Sequence, residues 1–169
     1  CTYAGNSSQS INAISIGWFA GAISQGVDTI AIGQQAGNNN QNANSVAIGS
    51  QAGFGTQRAN AVAIGAGAGI DNQGDGAIAI GYRAGDTTQL TNAIAIGVKA
   101  GYGQQGANSI AIGTFAGNNL QANNSIILNA TGAILDNTTA NALVMKPVRQ
   151  VTSTNAWTNP ANTLPTGFF

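Results

Sequence analysis

The stretch Asn44-Ser45-Val46-Ala47-Ile48-Gly49-Ser50-Gln51-Ala52-Gly53 decides the fold, because its pattern recurs along most of the chain. Its Val-Ala-Ile segment alternates two β-branched residues with a small one, which is the two-residue period of a β-strand and not the spacing of a helix. One glycine ends this segment and a second follows four residues later, where the backbone can turn. The stretch therefore predicts a short strand followed by a tight corner.

The pattern repeats every 16 residues, and no insertion breaks the spacing. Two columns of identical residues show it: Gln9, Gln25, Gln41, Gln57, Gln73, Gln89, Gln105 and Gln121, and Gly17, Gly33, Gly49, Gly65, Gly81, Gly97 and Gly113. A unit of this length is too short for a pair of helices, so we interpret it as one coil of a solenoid whose neighbouring coils stack at about 4.8 Å. The sequence predicts an all-β parallel β-roll of about seven and a half coils.

Stacking aligns the alternating strand residues into ladders that run along the roll. We expect the isoleucines to point inward and form the dry core, in ladders that include Ile32, Ile48, Ile64, Ile80, Ile96 and Ile112. The alternation then sends the alanines between them to the outer face, at Ala31, Ala47, Ala63, Ala79, Ala95 and Ala111. This small, flat face is a candidate contact with other chains, or an exposed strip without a partner.

Two further columns carry amide side chains, for which we expect structural roles. Stacked glutamines can form an amide ladder that fixes the register, through Gln25, Gln41, Gln57, Gln73, Gln89 and Gln105. Stacked asparagines can close the corner before the strand with hydrogen bonds from side chain to backbone, at Asn44, Asn60, Asn92 and Asn108.

The residues at the corners vary from coil to coil, which is typical of binding positions on a constant scaffold. The largest side chains there are the candidate binding residues Trp18, Phe19, Tyr82, Arg83, Tyr102 and Phe115. Packing of the same groups against neighbouring chains is the alternative interpretation.

Composition argues against several classes of function. Only 6% of the residues are charged and the net charge is zero, so the basic surface of a nucleic-acid-binding protein is missing. Polar residues interrupt every apolar run, so we expect no membrane insertion by this segment. The chain has no His, no Glu and only one cysteine, Cys1, so we expect no enzyme, no cofactor and no metal. Asp71 and Asp75 share a corner but lack the spacing of calcium-binding rolls.

The repeat decays after Gln121, where Ile126-Ile127-Leu128-Asn129 replaces the small residue and the glycine of the strand. We therefore divide the chain into an N-terminal edge (1–8), a β-roll (9–128) and a C-terminal cap or connector (129–169). About 40 residues seldom bury enough surface to fold alone, which argues against a second domain.

The motif Asn44-Ser45-Val46-Ala47-Ile48-Gly49 resembles the head repeats of trimeric autotransporter adhesins. The resemblance covers about two thirds of the chain and implies a left-handed β-roll, a homotrimer, and display outside the cell for attachment to a host or matrix receptor or glycan. The segments 142–151 and 164–169 are similar to the region after such repeats in fibre proteins of large viruses and phages, which implies a virion surface instead. An ice- or polysaccharide-binding solenoid is the alternative function, because it would also present stacked neutral side chains.

Overall fold

The computed structural model describes residues 2–148, and in this range all regular elements are short β-strands. In chain order the strands are β1 Ile14–Ile16, β2 Ile30–Ile32, β3 Asn40–Gln41, β4 Val46–Ile48, β5 Thr56–Gln57, β6 Val62–Ile64, β7 Asn72–Gln73, β8 Ile78–Ile80, β9 Thr88–Gln89, β10 Ile94–Ile96, β11 Gln104–Gln105, β12 Ile110–Ile112, β13 Ala116–Gln121, β14 Ile126–Asn129, β15 Leu135–Asn137 and β16 Leu143–Lys146. No helix long and apolar enough to cross a bilayer occurs in residues 2–148.

The strands form two parallel sheets that run side by side along the molecule. One sheet has nine strands in the order β1-β2-β4-β6-β8-β10-β12-β14-β16, and the other has seven in the order β15-β13-β11-β9-β7-β5-β3. Through most of the stack each residue pairs with the residue 16 positions on, as Ala47 does with Ala63. The predicted all-β solenoid with 16-residue coils is therefore confirmed.

The structure reverses the predicted inside and outside of the nine-stranded sheet. The alanines that we expected on the outer face are completely buried, at Ala31, Ala47, Ala63, Ala79, Ala95 and Ala111. The isoleucines that we expected in the core lie on the outer face and keep part of their surface exposed, at Ile32, Ile48, Ile64, Ile80, Ile96 and Ile112. The expectation of an inward isoleucine core was wrong, and so was that of an outward alanine face.

The narrow interior explains this reversal. Gly85 lies opposite Ala79 across the coil, and a Cβ added to Gly85 would come within 3.2 Å of the Ala79 Cβ. The same holds at Gly53 and Ala47, where the distance would be 3.3 Å. Two walls this close leave room for methyl groups but not for isoleucine, whose insertion would overpack the core.

Backbone conformation and close packing between coils both require glycine at the end of most strands of the nine-stranded sheet. Gly33 has φ +128°, a conformation that other residues rarely adopt. A Cβ added there would also lie 2.5 Å from the carbonyl oxygen of Gly49 in the next coil. Any side chain at this position would push neighbouring coils apart, which accounts for the unbroken glycine column.

The stack of coils extends beyond residues 9–128 at both ends. The amide of Gly5 donates to the carbonyl of Ala20 at 3.0 Å, so the N-terminal edge already stacks on the following coil. At the other end, β14 pairs with β16 and β13 pairs with β15. Ile126 lies opposite Leu143, so this last coil has 17 residues. Residues 149–169 of the predicted cap lie outside the described residues.

The interior widens in this last coil. Ile127 replaces the strand alanine and is completely buried, with Leu135 buried beside it and Val144 packed against them. The pairing of β13 with β15 shifts register between Ala116 and Gln121, and the extra residue of the coil lies between Asn137 and Leu143. Among residues 2–148, large apolar side chains enter the core only at this end of the stack, where the coil departs from the 16-residue unit.

Candidate functional site

The largest candidate interaction surface is the outer side of the nine-stranded sheet, which we call the Ile face. It consists of the outward residues of every strand in that sheet, Ile14, Ile16, Ile30, Ile32, Val46, Ile48, Val62, Ile64, Ile78, Ile80, Ile94, Ile96, Ile110, Ile112, Ile126, Leu128, Leu143 and Met145. Each of these residues is at least partly exposed. The most exposed isoleucines of the face range from 36% exposed at Ile64 to 53% at Ile16. The face carries no charge and is about 38 Å long at the usual strand spacing.

A strip of this kind is uncommon on a protein that stays monomeric, because a continuous exposed apolar surface marks an interaction site. Covering one of these half-exposed side chains contributes about 1 kcal/mol, since complete burial of an isoleucine gives about 1.5–3 kcal/mol. Within residues 2–148 the buried hydrophobic residues are all alanines apart from Ile127 and Leu135, so the β-branched side chains of the repeated strands lie on the Ile face and not in the core.

The Gln column lies inside the coil, next to the alanines. The amide nitrogen of Gln89 donates to the carbonyls of Ile78 at 2.7 Å and Ala93 at 3.1 Å, and to Oε1 of Gln105 at 3.1 Å. Equivalent side-chain bonds join Gln25 to Gln41, Gln57 to Gln73, Gln73 to Gln89, and Gln105 to Gln121. Most glutamines of the column thus satisfy backbone carbonyls at the corner and also join their coil to the next, but the amide ladder is interrupted between Gln41 and Gln57, where Oε1 of Gln57 has no hydrogen-bond partner.

The Asn column has a different role from the one that we expected. Asn44, Asn60, Asn92 and Asn108 all have positive φ, between +53° and +60°, and Gly76 replaces asparagine in the same column. Asparagine tolerates this left-handed conformation better than most residues. The side-chain amide of Asn92 donates to Asn108 at 3.3 Å, and the column is exposed. Backbone conformation, with some side-chain stacking, therefore accounts for these residues.

The candidate binding residues fall into two groups. In the first, near the N-terminal end, the ring of Phe19 stacks on Tyr3 at 4.8 Å between centroids and meets Trp18 edge-on at 4.6 Å. Trp18 is about half exposed. This group presents aromatic surface without any charge.

The second group lies at a corner three coils wide, and we call it the basic-aromatic corner. It comprises Arg83, Asp86, Lys99, Tyr102 and Phe115. The guanidinium of Arg83 lies 4.8 Å from the Tyr102 ring centroid, and the ammonium of Lys99 lies 5.4 Å from the same centroid and 5.9 Å from that of Phe115. Such distances are typical of cation–π contacts.

A buried carboxylate anchors this corner. Nε of Arg83 donates to Oδ2 of Asp86 at 2.7 Å, and only 7% of the Asp86 side chain is exposed. Burial raises the pKa of Asp86 above its ordinary value, and the neighbouring Arg83 offsets part of this rise. Tyr82, the remaining candidate, precedes Arg83 in the chain and is about half exposed.

Sequence reasoning missed Tyr3 and Lys99, although the period contains the signal for both. Tyr3 precedes Phe19 by 16 residues, and Lys99 follows Arg83 and precedes Phe115 by the same interval. Residues one period apart stack on each other in this fold, as the backbone bond from Lys99 to Tyr82 and that from Phe115 to Val98 show. Asp75, which shares a corner with Asp71, forms an ion pair with Arg58, with 3.8 Å between its Oδ2 and Nη1 of the arginine.

Comparison with known proteins agrees with this geometry. The chain matches the family model of the YadA head domain repeat in two copies, with residues 105–116 matched. These residues include β12 and the Ala111-Ile112-Gly113 segment of the repeat. No curated protein and no solved structure matches the chain.

The matched segment contains the features that build most coils: the inward glutamine Gln105, the left-handed Asn108, the buried Ala111 and the outward Ile112. The same features recur along the stack in a fixed register. The repeat unit of this β-solenoid is therefore similar to the YadA head domain repeat, which agrees with the resemblance to the heads of trimeric autotransporter adhesins.

Proposed function

We propose that this chain is a segment of a surface adhesin or fibre, that three copies assemble through their Ile faces, and that the assembly attaches to a host or matrix surface. The observation that carries the proposal is the Ile face, a continuous uncharged apolar strip on a solenoid whose own interior holds little more than alanine and glutamine. The YadA head repeat supports the adhesin class and a cell-surface location.

The assembly follows from where the apolar surface lies. A trimer with a three-fold axis parallel to the solenoid would bring three Ile faces together around that axis, with like residues at equal heights. This arrangement places β-branched side chains in a dry centre and leaves the corners and the seven-stranded sheet for contact with other molecules. Closed symmetric oligomers of this kind are the common form of self-association.

Attachment is tested with beads coated with the full chain, applied to surfaces that carry extracellular-matrix proteins or host cells. We expect the coated beads to be retained, and beads coated with the heat-unfolded chain to be released at the rate of uncoated beads. Light scattering on the same preparation gives the number of chains per particle. Equal release of folded and uncoated beads from every surface would contradict the adhesin function, and a stable monomer would contradict the assembly.

A further inference from the structure

The basic-aromatic corner carries an arrangement of charges that the folding of the solenoid does not require. Arg83 and Lys99 occupy the same position of successive coils, and strand spacing places their backbones about 4.8 Å apart. Like charges stacked in this way repel each other. The equivalent positions of two earlier coils hold Gln35 and Gln51, so the repeat itself needs no cation here.

The guanidinium of Arg83 is held in one orientation. Its Nε donates to the buried Asp86 carboxylate at 2.7 Å, and its Cζ lies over the Tyr102 ring at 4.8 Å from the centroid. The side chain nevertheless remains 36% exposed. An arginine fixed at Nε can present its two terminal nitrogens outward as a fork, which suits the paired oxygens of a carboxylate or sulfate.

Lys99 adds a second cation to the same corner. It makes no salt bridge within residues 2–148, where the ion pairs are Arg58–Asp75 and Arg83–Asp86. Its ammonium instead lies near the Tyr102 and Phe115 rings. Because Asp86 already bonds to Arg83, one positive charge at this corner has no bonded counterion.

We propose that the basic-aromatic corner binds an acidic polysaccharide, with Arg83 and Lys99 contacting its carboxylate or sulfate groups and the exposed Tyr82 ring packing against a sugar. The proposal rests on the adhesin function proposed above and names the class of ligand that this adhesin recognises. In the trimer three such corners would surround the fibre, so that one long polysaccharide could engage several sites and gain avidity.

The shape and charge of the corner favour a polysaccharide over other anions. Nucleic acid needs a basic surface with many phosphate contacts, whereas this chain has zero net charge. An acidic peptide is often bound along a free strand edge, but the corner is a turn whose backbone is already paired within the stack, as between Lys99 and Tyr82. Aromatic rings beside fixed cations suit a ligand that alternates apolar sugar faces with anionic groups.

Binding of the full chain to three immobilised polysaccharides tests the proposal. Heparin carries sulfates and carboxylates, hyaluronan carries carboxylates alone, and dextran carries no charge. The test variant is Arg83→Gln with Lys99→Gln. The matched control is Arg58→Gln with Lys146→Gln, which removes the same number of charges at exposed positions away from the corner. We expect binding to heparin or hyaluronan, no binding to dextran, and about a tenfold to hundredfold loss of affinity in the test variant alone.

Absence of binding to both acidic polysaccharides, or an equal loss in the control variant, would overturn the proposal. Heparin binding without hyaluronan binding assigns the contact to sulfate groups, and binding to both assigns it to carboxylates. Light scattering on every sample separates this result from the proposed assembly. A monomer that binds heparin through Arg83 and Lys99 would contradict the proposed trimer and support the polysaccharide site. A trimer that binds neither acidic polysaccharide would support the assembly and contradict the site.

Discussion

Gly85 lies directly against the side-chain amide of Gln89 inside the coil, so that a Cβ added to Gly85 would be 2.7 Å from Oε1 of Gln89. Gly85 also has φ +55°, in the left-handed region. The glycine and the glutamine four residues later therefore form a structural pair, because the missing side chain of Gly85 leaves the space that the Gln89 amide occupies.

Replacing Gly85 with alanine should lower the free energy of unfolding by about 2–4 kcal/mol, because it adds a steric clash to backbone strain of about 1–2 kcal/mol. Gly132→Ala is the control, since Gly132 also has positive φ (+74°) but nothing lies within 4 Å of its added Cβ. Denaturant unfolding measures the free energy of unfolding of both variants. Equal losses in the two variants would show that the space around Gln89 is not limiting.

Gln89→Leu should destabilise the chain by about 2–4 kcal/mol, because it leaves the buried carbonyls of Ile78 and Ala93 without their side-chain donor. Gln104→Leu is the matched control, since Gln104 precedes the next glutamine of the Gln column and points outward. Thermal unfolding of the two variants compares the same substitution inside and outside the coil. A control as unstable as Gln89→Leu would contradict the structural role of the Gln column.

Thermal stability should depend on protein concentration, because covering the Ile face couples folding to association. Ile96→Asp should lower the midpoint of unfolding and abolish this dependence, since it places a charge in the apolar interface. Gln104→Asp introduces the same charge on the other sheet and should leave the dependence intact. Melting curves over a hundredfold range of concentration measure the effect, and a midpoint that is the same throughout for the unmodified chain would contradict coupled folding.

The buried Asp86 gives the stability a defined pH dependence. Because burial raises the pKa of Asp86 in the folded chain, the folded state holds its proton more tightly than the unfolded state does. The contribution of Asp86 to stability is therefore greatest below its unfolded pKa and decreases as the pH rises through its folded pKa. Asp86→Asn removes this dependence.

The melting temperature of Asp86→Asn, relative to the unmodified chain, should accordingly be higher at pH 7 than at pH 4. Measurements at pH 4, 5 and 7 suffice, with Asp75→Asn as the control because Asp75 is exposed. A relative melting temperature that falls between pH 4 and pH 7 would mean that the ion pair with Arg83 outweighs burial.

The sequence predicted the coil, its 16-residue length and the residues that share each column, because periodicity records which residues stack. It did not predict which side of the strand is inside. Alternation places Ala79 and Ile80 on opposite faces without saying which face is buried. The usual preference of isoleucine for the interior then gave the wrong answer, since the space between Ala79 and Gly85 is too narrow and the apolar residues lie on the outer face.

The candidate site was only partly predicted, because periodicity shows which residues are neighbours but not which of them are buried. The variable corners contain the exposed Trp18 and Tyr82, as expected from their place outside the constant columns. The link between Arg83 and Lys99 was missed, because the candidates were chosen for their size and Lys99, the neighbour of Arg83 one period on, was not among them. The burial of Asp86 could not be predicted, since other residues at its position, such as Ile70 and Tyr102, show no common polarity.

Copies of this chain should meet through their Ile faces, and spin labels on single cysteines would detect this contact. In a chain with Cys1→Ser, one label replaces Ile112 on the Ile face, and in a second variant one replaces Gln104 on the seven-stranded sheet. We expect strong dipolar broadening at position 112, where labels of different copies would meet around the axis, and none at position 104. Broadening at position 104 alone, or at neither position, would contradict it.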